Sequence, residues 1–150
     1  MTEVLFYRLK GQRLEQVLPA LLQKSLERGW RVIVQAASEE RIEALDAHLW
    51  TWRDDAFLPH GTWREPDAPE QPVLLTPNGE NPNRAAVRFL VEGAEWPADA
   101  AAYQRLVLLF DGDDPDALTA AQERWVKVKN DGFEVTYWQA DENGRWQRQA

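Results

Sequence analysis

"DGDDPDALTAAQERWVKVKNDGFEVTYWQA", residues 111–140, carries a helix and the strand that follows it, with both boundaries written in residue types. Asp113 or Asp114 stands where an N-cap is needed, Pro115 takes an early helical position, and acids fill the first turn. Lys127 and Lys129 occupy the last turn, where cations complement the helix dipole, and Gly132 closes the helix. The next run, "FEVTYWQA", alternates as a strand does. Asn143-Gly144 then predicts a tight two-residue hairpin turn into "RWQRQ".

Working outward, the same alternation of helix and strand fills the chain. "VLFYRL" (Val4–Leu9) suits an opening strand. Leu14, Val17, Leu18, Leu21 and Leu22 recur at helical spacing until Gly29, with Pro19 either kinking that helix or standing in the first turn of a shorter one. "WRVIVQA" is a β-branched strand, and Ser38 is a good N-cap for a helix whose buried stripe is Ile42, Leu45 and Leu49. Trp52 falls near the continuation of that stripe, and Trp50 falls to one side. The Pro-, Asp- and Glu-rich stretch after it reads as irregular connection. Val73–Thr76, "AAVRFLV" and "QRLVLLF" give three further strands. Together these elements predict one domain over residues 1–150: an α/β sandwich with a mostly parallel sheet, helices on both faces and an antiparallel C-terminal hairpin.

Composition narrows the function classes. The 150 residues carry 25 acids against 17 bases, a net charge of −8. Duplex binding is dominated by phosphate neutralisation, so direct DNA contact is disfavoured. There is no cysteine, hence no disulfide frame and no thiolate metal site. No secretion signal and no apolar run of spanning length is visible, so a soluble cytoplasmic protein with no membrane contact is expected. Eight tryptophans are the outlying feature, and Trp serves both cores and binding hot spots.

Catalytic signatures are sparse. Neither G-x-G-x-x-G nor G-x-x-x-x-G-K-[ST] is present. The cluster "DGDDPD" has ligand chemistry for a hard cation, but Asp beside Pro at a helix start is what capping already requires. His48 and His60 are the two histidines, and their spacing fits no zinc motif. An enzyme on a Rossmann-like scaffold would have to use Asp111, Asp113 and His60. No cofactor is expected. On a helical wheel, Leu118, Ala121, Trp125 and Val128 face inward, with Trp125 near one edge; Gln122, Val126 and Lys129 share its flank, and Arg124 lies on the opposite one. A half-exposed Trp edged by Lys suits a peptide that is both acidic and aromatic, above all one ending in a free carboxylate.

"FY" near the start, "LDAHLWTWRDDAFLPHG" (residues 45–61), "ERWVKVKNDGFEVTYWQ" and "ENGRW" together resemble the chi subunit family of bacterial DNA polymerase III, over nearly the whole chain. The resemblance implies a Rossmann-like fold without a nucleotide and a non-catalytic accessory subunit of the clamp loader. It implies binding of the acidic, phenylalanine-terminated C-terminal tail of single-stranded DNA-binding protein, so that DNA is contacted only indirectly. It also implies a psi subunit or clamp loader as partner, with an XPD-like helicase competing for that face. Carried over residue by residue, the tail-binding positions are Trp125, Arg124, Lys129 and Trp50, and the psi or helicase face falls on Phe57. Where relatives carry Arg and Lys to hold the tail's carboxylates, this chain has Gln122 and Val126. Lys129, Arg124, or Lys24, Arg28 and Arg31 near the first helix are the candidates to compensate.

Overall fold

The computed structural model describes residues 2–51 and 58–150. Its strands are β1 (Glu3–Leu9), β2 (Val32–Gln35), β3 (Gly61–Thr62), β4 (Val73–Thr76), β5 (Val87–Val91), β6 (Arg105–Asp111), β7 (Glu134–Ala140) and β8 (Trp146–Arg148). The helices are α1 (Leu14–Glu27), α2 (Glu39–Trp50) and α3 (Pro115–Asn130). One sheet runs in the order β3-β4-β2-β5-β6-β1-β7-β8, and every pairing is parallel except β7 with β8. This is the expected α/β architecture. One strand was not expected: Gly61–Thr62 pairs with β4 inside the stretch read as irregular connection. Two residues are too few to show a period.

Alternation along each strand sorts side chains onto two faces. Val32, Val34, Val73, Leu75, Val87, Phe89, Val107 and Leu109 meet the apolar stripes of α1 (Leu14, Leu18, Leu22) and α2 (Ile42, Leu45, Leu49). Val4, Phe6 and Leu106 point the other way and meet Ala121 and Val128 of α3. Helices therefore cover both faces. Each fully buried aliphatic or aromatic side chain contributes roughly 1.5–3 kcal/mol, and the two-sided burial makes the central strands continuous apolar runs.

Local signals hold at the helix ends. The Ser38 hydroxyl accepts the Arg41 N–H at 3.3 Å, and the Asp114 carboxylate accepts the Asp116 N–H at 3.0 Å with Pro115 next to it. Gly132, at φ 89°, ends α3 in the left-handed region. The hairpin differs from expectation. Asp141 N–H donates to the Arg145 carbonyl, and Gly144 N–H donates back to the Asp141 carbonyl, so three residues, Glu142 to Gly144, form the loop with Gly144 at φ 79°. Asp141 drives the longer loop, because its carboxylate accepts the N–H groups of both Asn143 and Arg145.

Pro19 neither ends nor begins a helix; α1 runs through it. Its missing N–H frees the carbonyl of Glu15, four residues earlier. His48 on α2 takes up that carbonyl, donating from Nε2 at 2.8 Å. The histidine thus repairs the helix interior that proline interrupts and ties α1 to α2.

Arg88, the second residue of β5, is fully buried. It donates to the Gln35 side chain, to the Tyr103 hydroxyl and to the carbonyls of Asn78 and Glu80. None of these acceptors is a carboxylate; Asp99 enters only through the Tyr103 hydroxyl, at 3.2 Å. Burial raises the Tyr103 hydroxyl above its usual pKa, with Arg88 opposing. One guanidinium in this way fixes two loops to the sheet.

Two stability predictions follow from these contacts. Arg88→Ala leaves buried acceptors unsatisfied and should lower unfolding free energy by about 3 kcal/mol or more in a denaturant titration. His48→Ala should cost about 1 kcal/mol in the native sequence and less in a Pro19→Ala background, where the new amide supplies the missing donor; additive losses in that double-mutant cycle would refute the repair.

Candidate interaction surface

The last two turns of α3 lie over the β6-β1-β7 part of the sheet. Trp125 is half-buried there, meeting Phe6 edge-on at 5.5 Å and Tyr137 edge-on at 5.8 Å between ring centroids. Phe6 and Tyr137 are register partners on adjacent strands, so the indole sits in the angle between two rings. Its other side faces outward. The Lys129 ammonium lies 5.4 Å from the Trp125 ring centroid, within cation–π range. Gln122 and Val126 on the same flank are exposed, Val126 by 56%. The result is a shallow apolar ledge with one ammonium at its margin.

Arg124 is turned to the opposite flank of α3. Its guanidinium stacks 5.3 Å from the Trp96 ring, which packs edge-on against Phe133 at 6.0 Å. Arg124 and Trp125 are chain neighbours that serve two separate surfaces.

Trp50, 58% exposed, closes α2 on the other face of the sheet and contacts the His60 ring at 4.5 Å. The sheet stands between Trp50 and Trp125, so these two positions do not form one pocket. His60 is buried, with Nδ1 against the Leu58 carbonyl at 2.7 Å and Nε2 3.1 Å from Asp46, an approach too poorly aligned for a hydrogen bond. It joins the end of α2 to the edge strand β3. Phe57, Trp52, Asp54 and Asp55 lie outside the described residues.

Open parallel sheets bind ligands where neighbouring connections leave in opposite directions. Here that place lies between β1, whose chain enters α1 on one face, and β6, whose chain enters α3 on the other. A crevice of about 690 Å³ opens there. Its charged lining is Glu15, Glu92, Asp111, Asp114 and Asp116 against Arg13 and Arg41. Arg41 is bound by Glu92, which raises its pKa further. Asp113 accepts the Gly11 N–H, Asp111 accepts the Asp113 N–H and Asp114 caps α3. Gly112 has no room for a side chain, since a Cβ there would come within 2.4 Å of Arg8. A nucleotide's phosphates would meet carboxylates in this crevice. His60 lies at the β3 edge, so the Asp111, Asp113 and His60 of the enzyme alternative are not brought together. Among the described residues no cluster of His, Asp and Glu has the form of a metal site.

A second aromatic surface was missed in the sequence. Tyr7, Trp30, Trp138 and Trp146 wall a cleft of about 250 Å³ between α1 and the C-terminal hairpin. Tyr7 packs against Trp146 with ring centroids 4.6 Å apart and the planes tilted by 55°. Burial raises the Tyr7 pKa, with the Arg105 and Arg28 charges opposing. Lys24 and Arg28, two of the possible compensating bases, line this cleft, whereas Arg31 bonds the carbonyls of Pro69 and Asn83. The cleft draws on six elements and the loop before β2, so no local motif could have disclosed it.

The model of the family described as "DNA polymerase III chi subunit, HolC" matches residues 1–136. A Pseudomonas aeruginosa protein named "DNA polymerase III subunit chi" is 31% identical over 137 residues, covering 89% of this chain and 93% of its own. A Rickettsia prowazekii protein named "Probable DNA polymerase III subunit chi" is 22% identical over 121 residues, covering 74% of this chain and 71% of its own.

Proposed function

The chain belongs to the DNA polymerase III chi subunit family, and from that premise we propose that it is a non-catalytic accessory subunit that binds the acidic C-terminal tail of single-stranded DNA-binding protein and links it to the clamp loader. The observation that carries this reading is the half-buried Trp125 ring with the Lys129 ammonium 5.4 Å away. A C-terminal phenylalanine would lie against the indole and Val126, and its carboxylate would meet the ammonium. Arg124, on the far flank against Trp96, would act on the tail only at longer range.

The ledge is poor in charge for such a ligand. Gln122 and Val126 leave Lys129 as the ammonium beside the indole. A charge-assisted hydrogen bond is worth roughly 1.5–3 kcal/mol, so this chain should hold the tail more weakly than a relative with Arg and Lys there. The Trp50 position, across the sheet, would belong to a different contact. The resemblance groups Trp50 with the tail-binding positions, whereas Phe57 is proposed to serve the psi subunit or an XPD-like helicase, a reading supported by the resemblance alone. The acid-lined crevice speaks against the enzyme alternative, because Asp111, Asp113 and Asp114 hold backbone amides and Glu92 pairs with Arg41.

Titration with a short acidic peptide ending in Pro-Phe tests the reading. Binding is expected at low salt, weakening as salt is added, and Trp125→Ala should weaken it about tenfold, from the loss of apolar contact and cation–π attraction. Gln122→Arg with Val126→Lys should tighten it by about tenfold or more. Absence of binding in the parent chain, together with no gain in the double variant, would refute the assignment.

A further inference from the structure

The cleft between α1 and the C-terminal hairpin has a charge character opposite to that of the whole chain. Lys24 and Arg28 stand one turn apart along α1, and Arg105 faces them from the start of β6. The Arg28 and Arg105 guanidiniums lie 5.0 and 5.2 Å from the centroid of the same indole, Trp30. Among the described residues no carboxylate lines the cleft. Arg105 has Glu3 at 3.7 Å from one terminal nitrogen, while its Nε is buried without a hydrogen-bond partner. A buried orphan donor on a cation is costly unless an acceptor reaches it. Three cations on four aromatic walls, in a protein of net charge −8, are an anion site with an apolar floor.

Size and charge together select the occupant. At about 250 Å³ the cleft is smaller than the 300–1,000 Å³ usual for a drug-sized ligand, so it takes a single ring and not a whole nucleotide. A polyanion such as single-stranded nucleic acid would also meet the overall repulsion of a chain of net charge −8, which opposes it. The cations lie on both sides of the cleft, on α1 and on β6, matching carboxylates on both sides of a ring more closely than one terminal carboxylate. We infer that this cleft is a second docking site, which takes an internal acidic segment of a partner protein with one aromatic side chain between its carboxylates. It is across the sheet from Trp125 and does not rest on the tail reading.

A peptide Asp-Glu-Phe-Asp-Glu, acetylated and amidated so that it has no free terminus, separates the two sites. Titrated into the ¹⁵N-labelled chain at low salt, it should move the indole N–H signals of Trp30 and Trp146 and leave that of Trp125 in place. Lys24 and Arg28 are exposed, so Lys24→Gln with Arg28→Gln should fold normally and weaken binding by about tenfold or more. Lys24→Arg with Arg28→Lys should retain it. Three results would overturn the inference: no binding, binding indifferent to the charge-removing pair, or tighter binding of oligothymidylate, which would assign the cleft to nucleic acid. A Pro-Phe-ended peptide that shifts Trp125 while the blocked peptide fails would leave the tail reading standing and remove this one.

Discussion

The surface on α3 depends on two edge-on ring contacts. Phe6 is fully buried on β1 between β6 and β7, and Tyr137 sits beside it in register. Together they form a corner that admits one side of the Trp125 indole and no more. Such edge-to-face pairs are worth about 0.5–1.5 kcal/mol each beyond their burial, enough to hold the ring in one orientation. A ring held by its buried side presents a fixed outer side at little entropic cost on binding. The ledge is therefore a consequence of core packing: the residues that anchor α3 to the sheet also orient its exposed apolar face.

This arrangement explains why a small departure in sequence matters. Gln122 and Val126 are both exposed, and the ring contacts that place the indole come from Phe6 and Tyr137. Changing their charge alters what the ledge attracts without altering its shape. The position of the indole is set by Phe6 and Tyr137, and the charge beside it by the outer flank.

Much of this was legible from the chain because it was written locally. Ser38 and Asp114 as caps, Gly132 as terminator, and the period of α3 that placed Trp125 at the edge of its stripe are all decided within a few residues. What escaped was long-range. His48 and Pro19 each look unremarkable alone, and their relation appears only when α2 packs on α1. Arg88 in "VRFLV" has the pattern of an outward-facing charge, yet its acceptors on Gln35, Asn78, Glu80 and Tyr103 enclose it completely. The Asn143-Gly144 dipeptide marked the turn correctly, but Asp141 lengthened the loop by bonding two amides beyond it. Trp50 and Trp125 could be grouped by resemblance, whereas the sheet between them sets them on different faces.

Parallel strands impose a further asymmetry that ties these features together. Each helix returns antiparallel to the strand before it, so all three N-termini gather at the carboxyl edge of the sheet and all three C-termini at the other. Helix dipoles favour acids at the first edge and cations at the second. The chain follows: Glu15, Glu39, Glu40 and Asp116 stand in first turns, and Lys24, Lys127 and Lys129 in last turns. At the carboxyl edge this places carboxylates in the crevice where a nucleotide-binding relative of the fold would need to accept phosphate. At the opposite edge it places ammonium and guanidinium groups beside Trp125 and Trp30. A chain of net charge −8 thereby keeps two cationic, aromatic surfaces, one on each face, through the same dipole alignment that lines the crevice at its carboxyl edge with acid. Such a distribution is complementary in charge to anionic peptides at one edge and opposes phosphates at the sheet's mouth.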